Sequence, residues 1–372
     1  MIYLYLPSYK KRMLTAFAVC CCLFVAGQDS RRIADSIRFQ RRVPGLVYAV
    51  VSSEKVLLLE GVGYTRFRSK DSVSLSSRFH LGSATAAISS YIAAQLVAKG
   101  KIKWNTELFR LFPAMAGKSR PEFRTLTFSE LLSQQGGLIV LNEPGDISTV
   151  PVFKGTPVQQ RVEFVEWAVQ KRAGRDTSGK RTFRFSNANT MAAVAMMEKA
   201  SGKPWEDLLK EYFNKPLGVS VKTGWPNNLS ASEPWGHWVE AEHYVAIDPK
   251  HWYHLLAPFT GALDANISMP DYIKFIQDQL RGVRGEKATL PARSYDVVHY
   301  SFPSYGLGWV NLEVNGTHIS ESDGTAGTFF SHVELFKEKN LAVLVFCNSG
   351  DVSGKGAALN LARILREMYI TL

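Results

Sequence analysis

Past residue 22 the 372-residue chain holds a single cysteine, Cys347; the other three are Cys20, Cys21 and Cys22. An internal disulfide is therefore excluded from that stretch, and stability has to come from packing. The apolar run from Leu14 to Gly27 falls short of the ~20 residues that a spanning helix needs, which argues against a comfortable membrane span. No repeat or low-complexity block is present. Acidic side chains are the minority, 33 against 44 Lys and Arg, for a formal charge of +11. The histidines include no His-Glu-x-x-His pattern and have no cysteines beside them, so a zinc site in the His237, His243, His251 and His254 region lacks support, and no metal or cofactor is expected.

What is present is ordinary globular composition, 46% hydrophobic and 21% charged, with ample material for a buried core. Lys10, Lys11 and Arg12 precede the apolar run, and Val25 and Gly27 are small enough for cleavage before Gln28. Residues 1–27 thus read as a secretory signal peptide, with an uncleaved N-terminal anchor as the alternative. Their removal takes the charge from +11 to +8, which we read as a solvated positive face. The basic cluster from Lys171 to Arg184 has only Phe183 as an interleaved aromatic, a poor pattern for nucleic-acid binding.

Periodicity predicts a helix from Asp29 to Arg42, then strands at Leu46–Val51 and Val56–Leu59. Further helices are expected at Thr85–Lys99, Gln159–Lys171, Thr190–Ser201, Trp205–Tyr212 and Pro270–Leu280. Strands return at Gly308–Val314, Phe329–Phe336 and Leu341–Phe346, before a last helix at Lys355–Tyr369. Cys347 ends a strand-like apolar run and reads as a packed small hydrophobe.

Several segments together carry a resemblance: Arg78 to Ala86 around Ser83, Leu131-Leu132-Ser133-Gln134-Gln135-Gly136-Gly137-Leu138, Asn214-Lys215-Pro216-Leu217-Gly218, Pro234-Trp235-Gly236-His237, Met269-Pro270-Asp271-Tyr272 and Tyr305-Gly306-Leu307-Gly308-Trp309. In number and order they resemble the class C β-lactamase-related serine hydrolases, a family that includes penicillin-binding proteins, D-Ala-D-Ala carboxypeptidases and esterases. The resemblance implies a β-lactamase/transpeptidase-like α/β (α+β) fold, with an antiparallel sheet flanked by terminal helices and an inserted, mainly helical domain. We expect residues 28–82 and 290–372 to form the α/β part and 83–289 the insertion.

It also implies three catalytic motifs, and each departs from the pattern here. Ser-x-x-Lys reads Ser83-x-x-Ala86, so the nucleophile lacks the lysine that would take its proton. Tyr-x-Asn reads Phe185-x-Asn187, and phenylalanine cannot relay a proton. Lys-Thr-Gly or His-x-Gly reads Ser322-x-Gly324; strand alternation would turn Glu321 and Asp323 away from the cleft. Lys222-Thr223-Gly224 is a decoy expected in a connection. A missing general base alone costs about two to four orders of magnitude in rate.

The resulting expectation is a catalytically impaired hydrolase-fold protein acting as a cell-envelope ligand-binding or regulatory module. Asn187, Gly324 and Thr325 are its ligand-contacting candidates, and a peptidoglycan-derived or other small ligand its partner. Two alternatives stand beside it. One is an active hydrolase using Ser83 with a non-standard base, for which His80, Lys99 and Lys101 lie near in sequence. The other is a structural envelope domain with a vestigial cleft. Ser83 could equally serve only as a helix N-cap, Asn187 as turn chemistry, and Gly324 as a point of close backbone approach.

Overall fold

The computed structural model describes residues 29–142, 144–172, 182–240, 243–251 and 259–370. The expected signal peptide, most of the Lys171–Arg184 cluster and His254 lie outside them.

Six antiparallel strands form the main sheet, in the order β2-β1-β11-β10-β9-β8: β1 (Gly45–Val51), β2 (Val56–Gly63), β8 (Val310–Val314), β9 (Thr317–Thr325), β10 (Phe330–Phe336) and β11 (Leu341–Cys347). The chain ends meet at its centre, because β1 pairs with β11 in the register Tyr48↔Val345. Central strands are apolar on both faces since both are covered. Leu46, Tyr48 and Val50 pack with Ala34, Ile37, Leu361 and Leu365 from the two terminal helices, 29–40 and Val352–Tyr369. Val47, Ala49 and Val51 face the larger core, which holds Tyr272, Phe275 and Ile276 of the helix Met269–Val283. Cys347 is buried, and its thiol donates to the Ser349 carbonyl at 3.2 Å, as expected of a packed hydrophobe.

The helical layer centres on two helices, Thr85–Ala98 and Asn187–Ser201, that are buried on every side along most of their length. Alanines and other small residues dominate both, so neighbours approach from all directions and no polar stripe is needed. Ser186 caps the second helix by accepting from Ala188 N–H, and Gly202, at φ +72°, ends it. Arg161, fully buried on the helix Pro157–Ala168, binds Glu198 at 2.6 Å and Glu206 at 3.1 Å.

Smaller sheets complete the fold. In the order β3-β7-β4, β3 (Arg78–His80) and β4 (Lys222–Thr223) flank β7 (Ala265–Ser268). Lys222-Thr223 is therefore an edge strand rather than the expected connection; a two-residue pairing is too short to show in a periodicity. β5 (His237–Glu240) and β6 (His243–Ala246) pair as an antiparallel hairpin.

Candidate active site

Ser83 sits in a single turn, Gly82–Ala84, between β3 and the helix Thr85–Ala98. The turn is held from below. Leu81 N–H donates to the Ala265 carbonyl at 2.8 Å, and Ala265 N–H to Thr85 Oγ1 at 3.1 Å. His80 Nδ1 accepts from Gly82 N–H at 3.2 Å, which leaves the ring proton on Nε2 to meet Asp264 at 3.1 Å. The His80 ring is fully buried and stacked on Trp225 at 4.2 Å. With both nitrogens engaged it is a strut under the turn and offers no base to Ser83. Burial raises the Asp264 carboxyl, with His80 opposing.

β9 closes on the turn from the other side. A Cβ on Gly324 would stand 2.0 Å from the Leu81 carbonyl oxygen, and one on Gly82, at φ +55°, 2.2 Å from the Thr325 backbone. Only glycine at both positions lets strand and turn touch. Ser83 Oγ donates to the Thr325 carbonyl at 3.4 Å, and the N-cap of the following helix is Ala84, without a side-chain cap. The capping reading of Ser83 therefore fails: the helix begins at Thr85, as the periodicity predicted, so its N-cap is Ala84, and the Ser83 hydroxyl points across to β9.

The cleft above this contact, about 380 Å³, is lined by Ser83, Phe185, Ser322, Gly324 and Thr325, with Asn142, Phe183, Tyr305, Gly308 and Lys355. Motif residues far apart in sequence thus converge. Ala86 is buried and Ser322 nearly so. Phe185 meets Tyr305 edge-on at 6.3 Å, and Phe183 lies over the same ring at 5.1 Å, making an aromatic wall. Burial raises the Tyr305 phenol, so it stays protonated at neutral pH. A larger groove, about 780 Å³ and lined by Arg38, Phe39, Tyr64 and Arg68, contains none of these residues.

Asn187 is not among the lining residues. Its side chain is fully buried and donates to the Leu141 carbonyl at 2.8 Å, while its Oδ1 has no partner among the described residues. The amide at the cleft wall is Asn142, which donates to the Phe185 carbonyl at 3.0 Å. It stands outside every motif, so sequence reading missed it. Gln134 is buried at φ +61°. It accepts from Ser186 N–H and Asn189 Nδ2, both at 3.0 Å, and fixes the turn that presents Phe185. Lys99 and Lys101 are exposed at the far end of the helix Thr85–Ala98, well away from Ser83.

On β9, Glu321 and Asp323 turn to the terminal-helix face, where Asp323 pairs across strands with His332. Both nevertheless reach the rim of the cleft. His332 is buried with Nδ1 2.5 Å from Asp323. Burial opposes its charge, but Asp323 and Glu334 outweigh that and lift its pKa to about 9. In the hairpin, His237 is also buried, bonded to the Asn348 carbonyl at 2.7 Å and to Phe67 N–H at 3.0 Å. Its ring is a bridge between segments, not a metal ligand.

A sheet braced by terminal helices, with a serine turn wedged between it and a helical layer, defines a β-lactamase/transpeptidase-like serine-hydrolase fold. The chain belongs to the Beta-lactamase family, whose profile matches residues 29–366. It is similar to Protein flp of Staphylococcus aureus (strain N315), 22% identical over 312 residues, covering 82% of this chain and 60% of that protein. The chain thus spans about three fifths of that relative's length. It is also similar to Penicillin-binding protein 4 of Amycolatopsis lactamdurans, 23% identical over 337 residues, with 85% and 84% covered. Among solved structures, the octameric penicillin-binding protein homologue from Pyrococcus abyssi superposes with TM-score 0.76 at 18% identity, covering 92% of this chain and 77% of that one. The D-amino acid amidase from Ochrobactrum anthropi SV3 does so with TM-score 0.72 at 19% identity, covering 91% and 97%. Among the described residues no helix is long and apolar enough to cross a membrane.

Proposed function

We propose that this chain is an exported cell-envelope protein whose cleft binds a small ligand, of the peptidoglycan-fragment kind, while its hydrolytic chemistry is impaired. The observation that supports this is the set of residues that accompany Ser83. Phe185 and Ser322 line the cleft with it and carry a phenyl ring and a hydroxyl, and Ala86, buried in the first turn of the following helix and not among the lining residues, carries a methyl group. None can take a proton from a serine at neutral pH. The aromatic wall of Phe183, Phe185 and Tyr305 with the Asn142 amide beside it suits binding, where apolar surface supplies affinity and a few polar groups orient the ligand.

A second reading rests on Lys355. This exposed lysine of the C-terminal helix lines the same cleft and, among the described residues, is the one cation that does so. If it swings toward Ser83 it could serve as the non-standard base of a slow hydrolase.

Intact-protein mass after incubation with a fluorophosphonate, and separately with a penicillin, tests both. The impaired reading expects no adduct on the wild type beyond the Ser83→Ala background. It also expects an adduct to emerge when Ala86→Lys and Phe185→Tyr are introduced together. A wild-type adduct that needs Ser83 would sink it, and loss of that adduct in Lys355→Met would establish the second reading.

A further inference from the structure

Outside the Ser83 chemistry, the structure gathers an unusual set of donors on the terminal-helix face of β9 and β10. The antiparallel register sets Asp323 opposite His332 and Glu321 opposite Glu334, so two cross-strand pairs lie side by side. One ligand atom each from Glu321, Asp323 and His332 falls within 4.8 Å of the others. Strand alternation alone brings them together, since residues i and i+2 share a face and their cross-strand partners point the same way.

The known ion pairs do not use up this cluster. His332 Nδ1 meets Asp323, and Arg366 binds Glu334 Oε1 at 2.7 Å. That leaves His332 Nε2, on a side chain only 2% exposed, without a hydrogen bond; it stands 3.6 Å from Glu334 Oε1. Glu334 Oε2 is likewise buried and without a partner, on a residue 6% exposed. Buried polar atoms in folded proteins almost always find a partner, and among the described residues three carboxylates here share only His332 and Arg366 while Glu334 Oε2 is left over, which leaves room for a further cation. The Glu321 side chain is half-buried and also reaches the rim of the solvent-filled cleft, as does Asp323, which gives an ion a way in.

We propose that Glu321, Asp323 and His332 bind one divalent transition-metal ion at the rim of the cleft, with Glu334 beside them. An imidazole with two carboxylates is a mixed nitrogen and oxygen donor set that suits Zn²⁺ or Mn²⁺, whereas Mg²⁺ and Ca²⁺ prefer oxygen alone. The ion would place positive charge at the cleft wall, next to Ser322, where the β9 strand itself supplies none. The site depends on neither reading of Ser83.

Equilibrium dialysis of the EDTA-treated full chain against Zn²⁺ and, separately, Mn²⁺, with bound metal measured by mass spectrometry, tests it. We expect one saturable ion per chain, and at least about a tenfold loss of affinity in Glu321→Gln, Asp323→Asn and His332→Gln. Co²⁺ bound at the same site should give a visible absorption band that His332→Gln abolishes. Glu321→Gln, at a half-exposed position with no ion pair to break, guards against misfolding, and its thermal melt without metal should match the wild type. No saturable binding, or binding unchanged in Glu321→Gln, overturns the proposal; the latter would place the ion elsewhere.

Discussion

At residue 324 the geometry leaves no choice of side chain. The backbone of β9 lies so close to the Leu81–Ala84 turn that a methyl group would overlap a carbonyl oxygen and an amide nitrogen, and neither can rotate away. Gly324→Ala should therefore cost about 3 kcal/mol or force β9 off the turn, visible as a lower urea midpoint with the slope preserved. An unchanged midpoint would mean the strand is not seated as described. The residue types at 83, 86, 185 and 322 were legible in the sequence, because they are statements about identity, not about shape. Direction was not legible. Asn187 carries the right side chain and is buried behind the cleft wall, while Asn142, with no motif to mark it, faces the cleft. Gln134 also shows this: nothing in its local sequence marks it, yet its amide bonds Ser186, Asn189 and Thr190.

Between elements, Arg161 is a fully buried polar tie of the helical layer. It joins the helix Pro157–Ala168 to Glu198 near the end of the helix Asn187–Ser201 and to Glu206 at the start of the helix Trp205–Leu209. Burial raises the Glu198 carboxyl while the guanidinium opposes this, so the pair is interdependent. Arg161→Ala would strand Glu198 without its counter-charge and should cost roughly 3 to 5 kcal/mol in chemical denaturation. Arg161→Ala with Glu198→Ala should cost less than the two single changes summed, and strict additivity would disprove the coupling. The longest helices and the strands β1, β2, β8, β10 and β11 were readable from periodicity, their ends falling within a few residues of expectation, whereas the helix Ala292–Tyr300 and the strand β9 were not. The short pieces were not: β4 holds two residues, and the β5–β6 hairpin is defined by pairing rather than by any local pattern.

For the whole molecule, the buried histidines give stability an optimum in pH. Burial holds His237 neutral, its pKa pushed down from 6.5 to about 4, and His299 likewise to about 3. The unfolded chain takes up those two protons first, so their contribution is complete above 6.5 and is lost as pH falls below it. His332 has the opposite sign, raised to about 9, so its contribution is complete below 6.5 and fades as pH rises through 9. Thermal melting of the metal-free protein should therefore peak near neutrality and decline on both sides, and His332→Gln should flatten the alkaline limb alone. A monotonic profile would contradict these assignments. Sequence by itself determined the longest helices, the central strands, the family resemblance and the identities at 83, 86, 185 and 322, because composition, period and motif are local properties of a chain. Only the tertiary structure decided which of those side chains meet. The cleft joins residues 83, 142, 185, 322 and 355, and the donor cluster joins 321, 323 and 332, through strand register and the packing of turn against sheet, and no local pattern encodes either.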